Sequence, residues 1–267
     1  MRPNRWTGCA LSALLLLGGC STPPTQRQRE KEIAEEVTLG RGISAALLGK
    51  FKLDESSPRQ TQYIATVGAF LAKKFGRSEL IFHFAILQEG PANAYAAPGG
   101  YIFLSRALVD RLRSEDELIL VLAHEIAHIN LNHVFRKVRK PQDVSFGATL
   151  SRIMSQGGGD LSFALGEAVK AGFRLLVEEG LGAELENEAD EAARSYALSI
   201  GIDGGALPRI LARTADSQAG LPKSHPPLRA RLEKLDLWLL TQTGRSSKVS
   251  TEPILRTQRF QKRMNPR

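Results

Sequence analysis

The nine residues Val121-Leu-Ala-His-Glu-Ile-Ala-His-Ile129 constrain the fold more than any other stretch of this chain. They hold no glycine or proline, and Leu118, Leu122, Ile126 and Ile129 recur at helical spacing, so a largely buried helix is expected. Just upstream, Ser114-Glu-Asp-Glu117 offers an N-cap and an acidic first turn, which suit the free amides and the dipole of a helix start. Within the helix, His124 and His128 stand four residues apart and enclose Glu125. Four residues turn by roughly 400° in total, so both imidazoles leave one face, about a turn apart. Two nitrogens placed this way suit one tetrahedral Zn²⁺, with Glu125 in reach of a water on the same metal. A core helix that merely carried two histidines would bury the Glu125 carboxylate at a cost; metal chemistry gives that burial a reason. The expected centre is one catalytic zinc per chain, with His124 and His128 as ligands and Glu125 as general base.

Two histidines leave a catalytic zinc short of a ligand. His133 follows His128 by five residues with no glycine between. In a continuing helix it points away from both ligands, and a role at the helix end is expected. The better source is a second helix, Ala183 to Tyr196, whose Ala183, Ala189 and Ala193 allow close packing against the first. It offers Glu184, Glu186 and Glu188, and spacing alone does not choose among them. Asp190 favours Glu186, because it lies one turn on along the same face, placed to accept from an imidazole or to act as a proton donor. Tyr196, Arg194 and His225 are all conceivable oxyanion donors. His225, ahead of Pro226-Pro227, is either a regulatory fourth metal ligand that displaces the water or a capping histidine for a helix over Leu228 to Leu240.

The ends of the chain carry their own signals. Arg2 and Arg5 precede an apolar run, Ala10 to Leu17, that is too short to span a bilayer. Leu17-Gly-Gly-Cys20 is similar to a bacterial lipobox, which makes Cys20 the lipidated first residue of the mature chain, and Ser21 after it fits outer-membrane sorting. Several acyl chains give stable anchoring. Residues 1–19 are thus expected to be a lipoprotein signal peptide, 20–29 a tether, 30–243 one peptidase domain and 244–267 a basic tail. Cys9 and Cys20 are the only cysteines, so no disulfide is expected after processing. No stretch beyond Leu17 reaches transmembrane length without charges.

The net charge of +8 is uninformative until it is located. Arg2 and Arg5 leave with the signal. Arg245, Lys248, Arg256, Arg259, Lys262, Arg263 and Arg267, against Glu252 alone, account for the rest. The body is therefore neutral, no nucleic-acid partner is expected, and the tail is expected to be solvated and disordered or to touch anionic lipid head groups.

The fold class expected is α+β, mainly α-helical, with a small β-sheet whose edge strand lies beside the active-site helix. Helical periodicity covers 30–50 and 58–76. Strand-like runs cover Leu80–Leu87, where His83 faces solvent or a neighbour, and Tyr101–Leu104, entered through Pro98-Gly99-Gly100. The second run, close before the metal helix, is the expected edge for binding an extended peptide by strand addition. Residues 141–181, with Gly157-Gly-Gly-Asp160, separate the two ligand helices and suggest a mobile lid; Glu167, Lys170 and Arg174 argue against a membrane span there. No repeats of 30–40 residues occur.

Val121–Ile129 together with Glu186-Asn-Glu-Ala-Asp190 resembles the HExxH plus ExxxD metallopeptidases, the family of HtpX and the CAAX prenyl proteases. Two more blocks fall in that family's order: Asn93-Ala-Tyr-Ala-Ala-Pro-Gly-Gly-Tyr-Ile102 and Ser224-His-Pro-Pro-Leu-Arg-Ala-Arg231. The resemblance extends over roughly Ile81 to Leu235. It implies a gluzincin-type zinc site with Glu186 as third ligand. It also implies membership of a periplasmic lipoprotein branch involved in outer-membrane protein quality control, with unfolded or misassembled envelope proteins as substrates. Glu191 and Gly201-Ile-Asp-Gly204 depart from the family's pattern, but neither touches a ligand. The alternative from another class is a non-proteolytic lipoprotein chaperone with a structural or silenced zinc, whose sphere would be closed by four protein ligands.

Overall fold

A capping box starts the first helix. Thr25 Oγ1 accepts from the Gln28 amide, and Gln28 Oε1 accepts from the Thr25 amide at 2.6 Å. Helix α1 then runs Gln26–Phe51 in the computed structural model, which describes residues 25–139, 161–215 and 252–264. Residues 26–29, expected in the tether, are therefore helical, because the cap lies upstream of them. The buried stripe of α1, Leu39, Ile43, Leu47 and Phe51, repeats every four residues. Pro58 opens α2 (Pro58–Phe75), at a position whose N–H has no partner in any helix.

Three strands follow: β1 (His83–Leu87), β2 (Ala94–Ala97) and β3 (Tyr101–Ser105). Their order is β1-β3-β2, with β3 parallel to β1 and antiparallel to β2. The β2–β3 turn needs φ of 75° at Gly99 and 100° at Gly100, and a Cβ on Gly100 would stand 2.3 Å from the Ile81 carbonyl oxygen. One expectation is corrected here. The strand over 101–104 is central, and the edge beside the metal helix is β2. All four β2 residues are buried, so the strand lacks the polar alternation that marks a half-exposed one.

After a short α3 (Arg106–Val109) comes α4 (Glu115–Asn130), capped by Ser114 Oγ on the Glu117 amide at 3.2 Å. Every residue of α4 from Leu118 to Ile129 is buried. By length and composition the segment Glu115–Arg139 would pass for a membrane span, yet 83% of its apolar window is covered by the protein's own core. That core is split by the sheet. Ile102 and Leu104 of β3 face a cluster with Ile64, Leu122 and Leu207, whereas Phe103 faces Ile43, Phe51 and Tyr95, as side-chain alternation requires. The chain continues through α5 (His133–Arg139), α6 (Leu161–Arg174) and a π-helical turn (Leu175–Glu179). It ends in α7 (Ala183–Ser199), α8 (Ala206–Ala215) and α9 (Glu252–Met264). Ala189, Ala193 and Ala197 of α7 are fully buried and let it pack closely along α4.

Within the tail expected over 244–267, residues 252–264 form helix α9 rather than a disordered segment. Its basic residues are matched to the acidic first turn of α4: Arg259 Nε lies 2.8 Å from Glu115 and Arg256 Nε lies 2.8 Å from Asp116. Arg213 of α8 pairs with Glu117. The Tyr63 hydroxyl donates to Glu115, and burial, reinforced by the Glu115 charge, pushes its pKa above the usual phenol range. Phe260, 2% exposed, sits edge-on to Tyr63 at 6.4 Å. Charge counting saw the arginines but not Phe260 and Met264, one helical turn apart on the buried side. Phe260→Ala should lower unfolding stability by about 3–5 kcal/mol, read from the urea midpoint; an unchanged midpoint would detach α9 from the fold.

Candidate metal centre

Helices α4 and α7 bring His124, His128 and Glu186 together, with ligand atoms all within 4.8 Å of one another. The two Nε2 atoms are 2.9 Å apart. Glu186 reaches both, with Oε2 3.5 Å from His124 Nε2 and Oε1 3.7 Å from His128 Nε2. The other ring nitrogens face away from this point. His124 Nδ1 lies 2.9 Å from Asp190 Oδ1, and His128 Nδ1 lies 2.8 Å from His133 Nδ1.

With each Nδ1 carrying its proton, both Nε2 lone pairs and a carboxylate converge in a site 5% exposed or less. Such a cluster repels itself unless a cation lies within it. The electrostatics say the same. Burial opposes a charge on His124, but Asp190 and Glu186 outweigh it and push its pKa up to about 10. Two imidazoles and one carboxylate are donors a transition-metal ion accepts.

The helical period sorts the three glutamates of α7. Glu186 and Asp190 share the face toward α4. Glu184 is exposed, and Glu188 turns to His133, with Oε2 3.2 Å from its Nε2. Asp190 stands behind His124, in the position its spacing suggested.

His133 is the residue the sequence reading misplaced. It does not point away from the ligands, because α4 does not continue. The chain leaves the helix through Leu131 and Asn132, whose φ is 56°, and α5 begins at His133, fully buried against His128. Arg77 Nη1 donates to Asn132 Oδ1 and is itself 2.8 Å from the buried Glu36. Asparagine at 132 was the available signal, since it tolerates the left-handed region better than most residues.

Glu125, 5% exposed, lines a narrow cleft with His128, Glu186, Ala94, Ala96, Leu175, Leu176 and Leu181. Just before β2 the Asn93 carbonyl accepts from the amide of Ser105 in β3 at 2.9 Å. Given the pairing of Ala94 with Leu104 and Ala96 with Ile102, the antiparallel alternation turns the backbone groups of Ala94 and Ala96 away from β3, to the free edge. Tyr95 between them stacks on Phe51, and burial, with a further contribution from the Glu125 charge, holds its pKa up at about 12.

Among the conceivable oxyanion donors, Tyr196 stacks on Phe75 and accepts from Asn130 Nδ2 at 3.1 Å, and Arg194 is buried on α7; neither lines the cleft. His83 is exposed and stacks on Tyr101, in keeping with its expected outward role. Cys20, Gly157–Asp160, and His225 with the block around it lie outside the described residues.

Residues 58–239 match the family model described as Peptidase family M48. A beta-barrel assembly-enhancing protease of Yersinia pestis is 31% identical over 176 residues, covering 64% of this chain and 35% of that protein. One of Escherichia coli K12 is 28% identical over 190 residues, covering 69% and 38%. Mitochondrial metalloendopeptidase OMA1 of Schizosaccharomyces pombe is 27% identical over 185 residues, covering 67% and 53%. The chain spans little more than a third of the length of the two bacterial relatives.

Proposed function

The chain belongs to peptidase family M48, and we propose that it is a zinc-dependent metalloendopeptidase that hydrolyses peptide bonds of misfolded or misassembled outer-membrane proteins. It works from a lipid anchor on Cys20 in the bacterial outer membrane, facing the periplasm. One observation carries the catalytic part: two imidazole nitrogens and the Glu186 carboxylate converge beside Glu125 at the wall of a cleft. His124, His128 and Glu186 would hold the zinc, which would supply Lewis acidity for a water and for the scissile carbonyl. Glu125 takes the proton of the attacking water and delivers it to the leaving nitrogen. Asp190 orients His124 from behind.

The cleft also favours a kind of substrate. The outward backbone groups of Ala94 and Ala96 suit an extended peptide added to the sheet edge, and Leu175, Leu176 and Leu181 suit its apolar side chains. An unfolded chain offers such a strand, whereas a folded barrel keeps its strands paired. The two bacterial relatives are named for enhancing beta-barrel assembly, which supports beta-barrel proteins as substrates, and Leu17-Gly-Gly-Cys20 supports the anchor. His225 is the proposed regulatory ligand.

Purified protein incubated with an unfolded outer-membrane protein should yield fragments, should stop on chelation and should resume on adding Zn²⁺. Cleavage that is indifferent to chelator would remove the metal from the mechanism; an intact substrate throughout would remove the peptidase.

A further inference from the structure

We propose that His133, anchored by Glu188, is a positioning residue that fixes the tautomer and ring orientation of His128. The proposal rests on the metal reading above. His128 Nε2 faces His124 and Glu186, so a metal there needs its lone pair, and the single proton of neutral His128 must sit on Nδ1. His133 Nδ1, 2.8 Å away, is then obliged to accept. Its own proton moves to Nε2, which donates to Glu188 Oε2 at 3.2 Å. Each nitrogen along this path has one role and one partner.

The other proton arrangements fail on geometry. Protonated on both nitrogens, His133 would set one N–H against another across 2.8 Å. With its proton on Nδ1, it would make His128 the acceptor and turn the His128 Nε2–H toward Glu186, where it blocks a metal. Glu188 selects between the arrangements, because a carboxylate accepts and does not donate. The backbone holds the arrangement in place. Asn132 in the left-handed region, gripped by Arg77 on Glu36, aims His133 under the ring of His128, and the two rings meet at 75° with centroids 4.9 Å apart. His124 is thus steadied by a carboxylate directly and His128 by a carboxylate one imidazole removed.

The test is zinc affinity of the metal-free full chain, measured by competition with a chromophoric chelator. His133→Ala should bind zinc ~10–100-fold more weakly than wild type. Glu188→Ala should fall toward the lower end of that range, and Glu188→Gln, whose amide oxygen still accepts, should stay near wild type. Cobalt substituted for zinc should show a shifted visible spectrum in His133→Ala, which a merely space-filling role would not produce. Circular dichroism of the metal-free variants checks the fold. The Glu188 side chain is 44% exposed, so the Glu188 pair decides the matter if His133→Ala does not fold. A wild type that binds no zinc would overturn the metal reading itself. A wild type that binds zinc no more tightly than folded His133→Ala, or than Glu188→Ala, would overturn the positioning role alone.

Discussion

Glu125→Gln is expected to keep its metal and to lose cleavage, with kcat/KM on an unfolded outer-membrane protein falling by about 10²–10⁴-fold. The amide has nearly the shape of the acid, and Glu125 is not in the ligand group, so little in the packing of α4 should change. What disappears is the capacity to take a proton. The position of Glu125 suits that capacity, since it is buried at 5% exposure in the middle of an apolar helix and lines the cleft beside His128 and Glu186. The measurement pairs kcat/KM on a quenched fluorescent peptide with zinc content by atomic absorption. Retained cleavage would sink the general-base role. Loss of zinc together with cleavage would recast Glu125 as a support for the ligands, since the two effects could no longer be separated.

How much of this was legible depended on whether an element kept one face polar. Helices α1, α2, α4 and α7 were legible because a helical period, or in α7 a row of small residues, marks an element packed on part of its surface, with Ser114 as a cap for α4 alone. His124 and His128 are placed together by one helical face, whereas spacing left Glu184, Glu186 and Glu188 open and only Asp190, one turn on, favoured Glu186, the carboxylate that lies with the two histidines. Strand β2 was not legible as a strand, because it is buried throughout and shows no alternation. His133 was misplaced by one assumption, a continuing helix, which the left-handed Asn132 breaks. Helix α9 was hidden by its charge. A run of arginines reads as solvated until Glu115 and Asp116 are found waiting for Arg259 and Arg256, about 140 residues away in sequence. Long-range charge pairing leaves no local pattern to detect.

The three glutamates of α7 should separate sharply when each is replaced by alanine. Glu186→Ala should lose zinc affinity by more than the ~100-fold upper limit of an outlying support, because it removes a donor that faces both Nε2 atoms. Cleavage should vanish with it. Glu184→Ala, on an exposed side chain, should change neither, and Glu188→Ala should fall between them through His133. Stability supplies an independent reading. A ligand at 1,000 times its Kd stabilises a fold by about 4.1 kcal/mol, so excess zinc should raise the Tm of wild type and of Glu184→Ala but barely that of Glu186→Ala. The metal-free forms should lie closer together. Glu186 and Asp190 both favour a proton on His124, and with Glu186 gone that proton is held less firmly, leaving a pocket with one anion fewer to compensate. If Glu186→Ala bound zinc as tightly as Glu184→Ala, the convergence of His124, His128 and Glu186 would need an explanation other than metal.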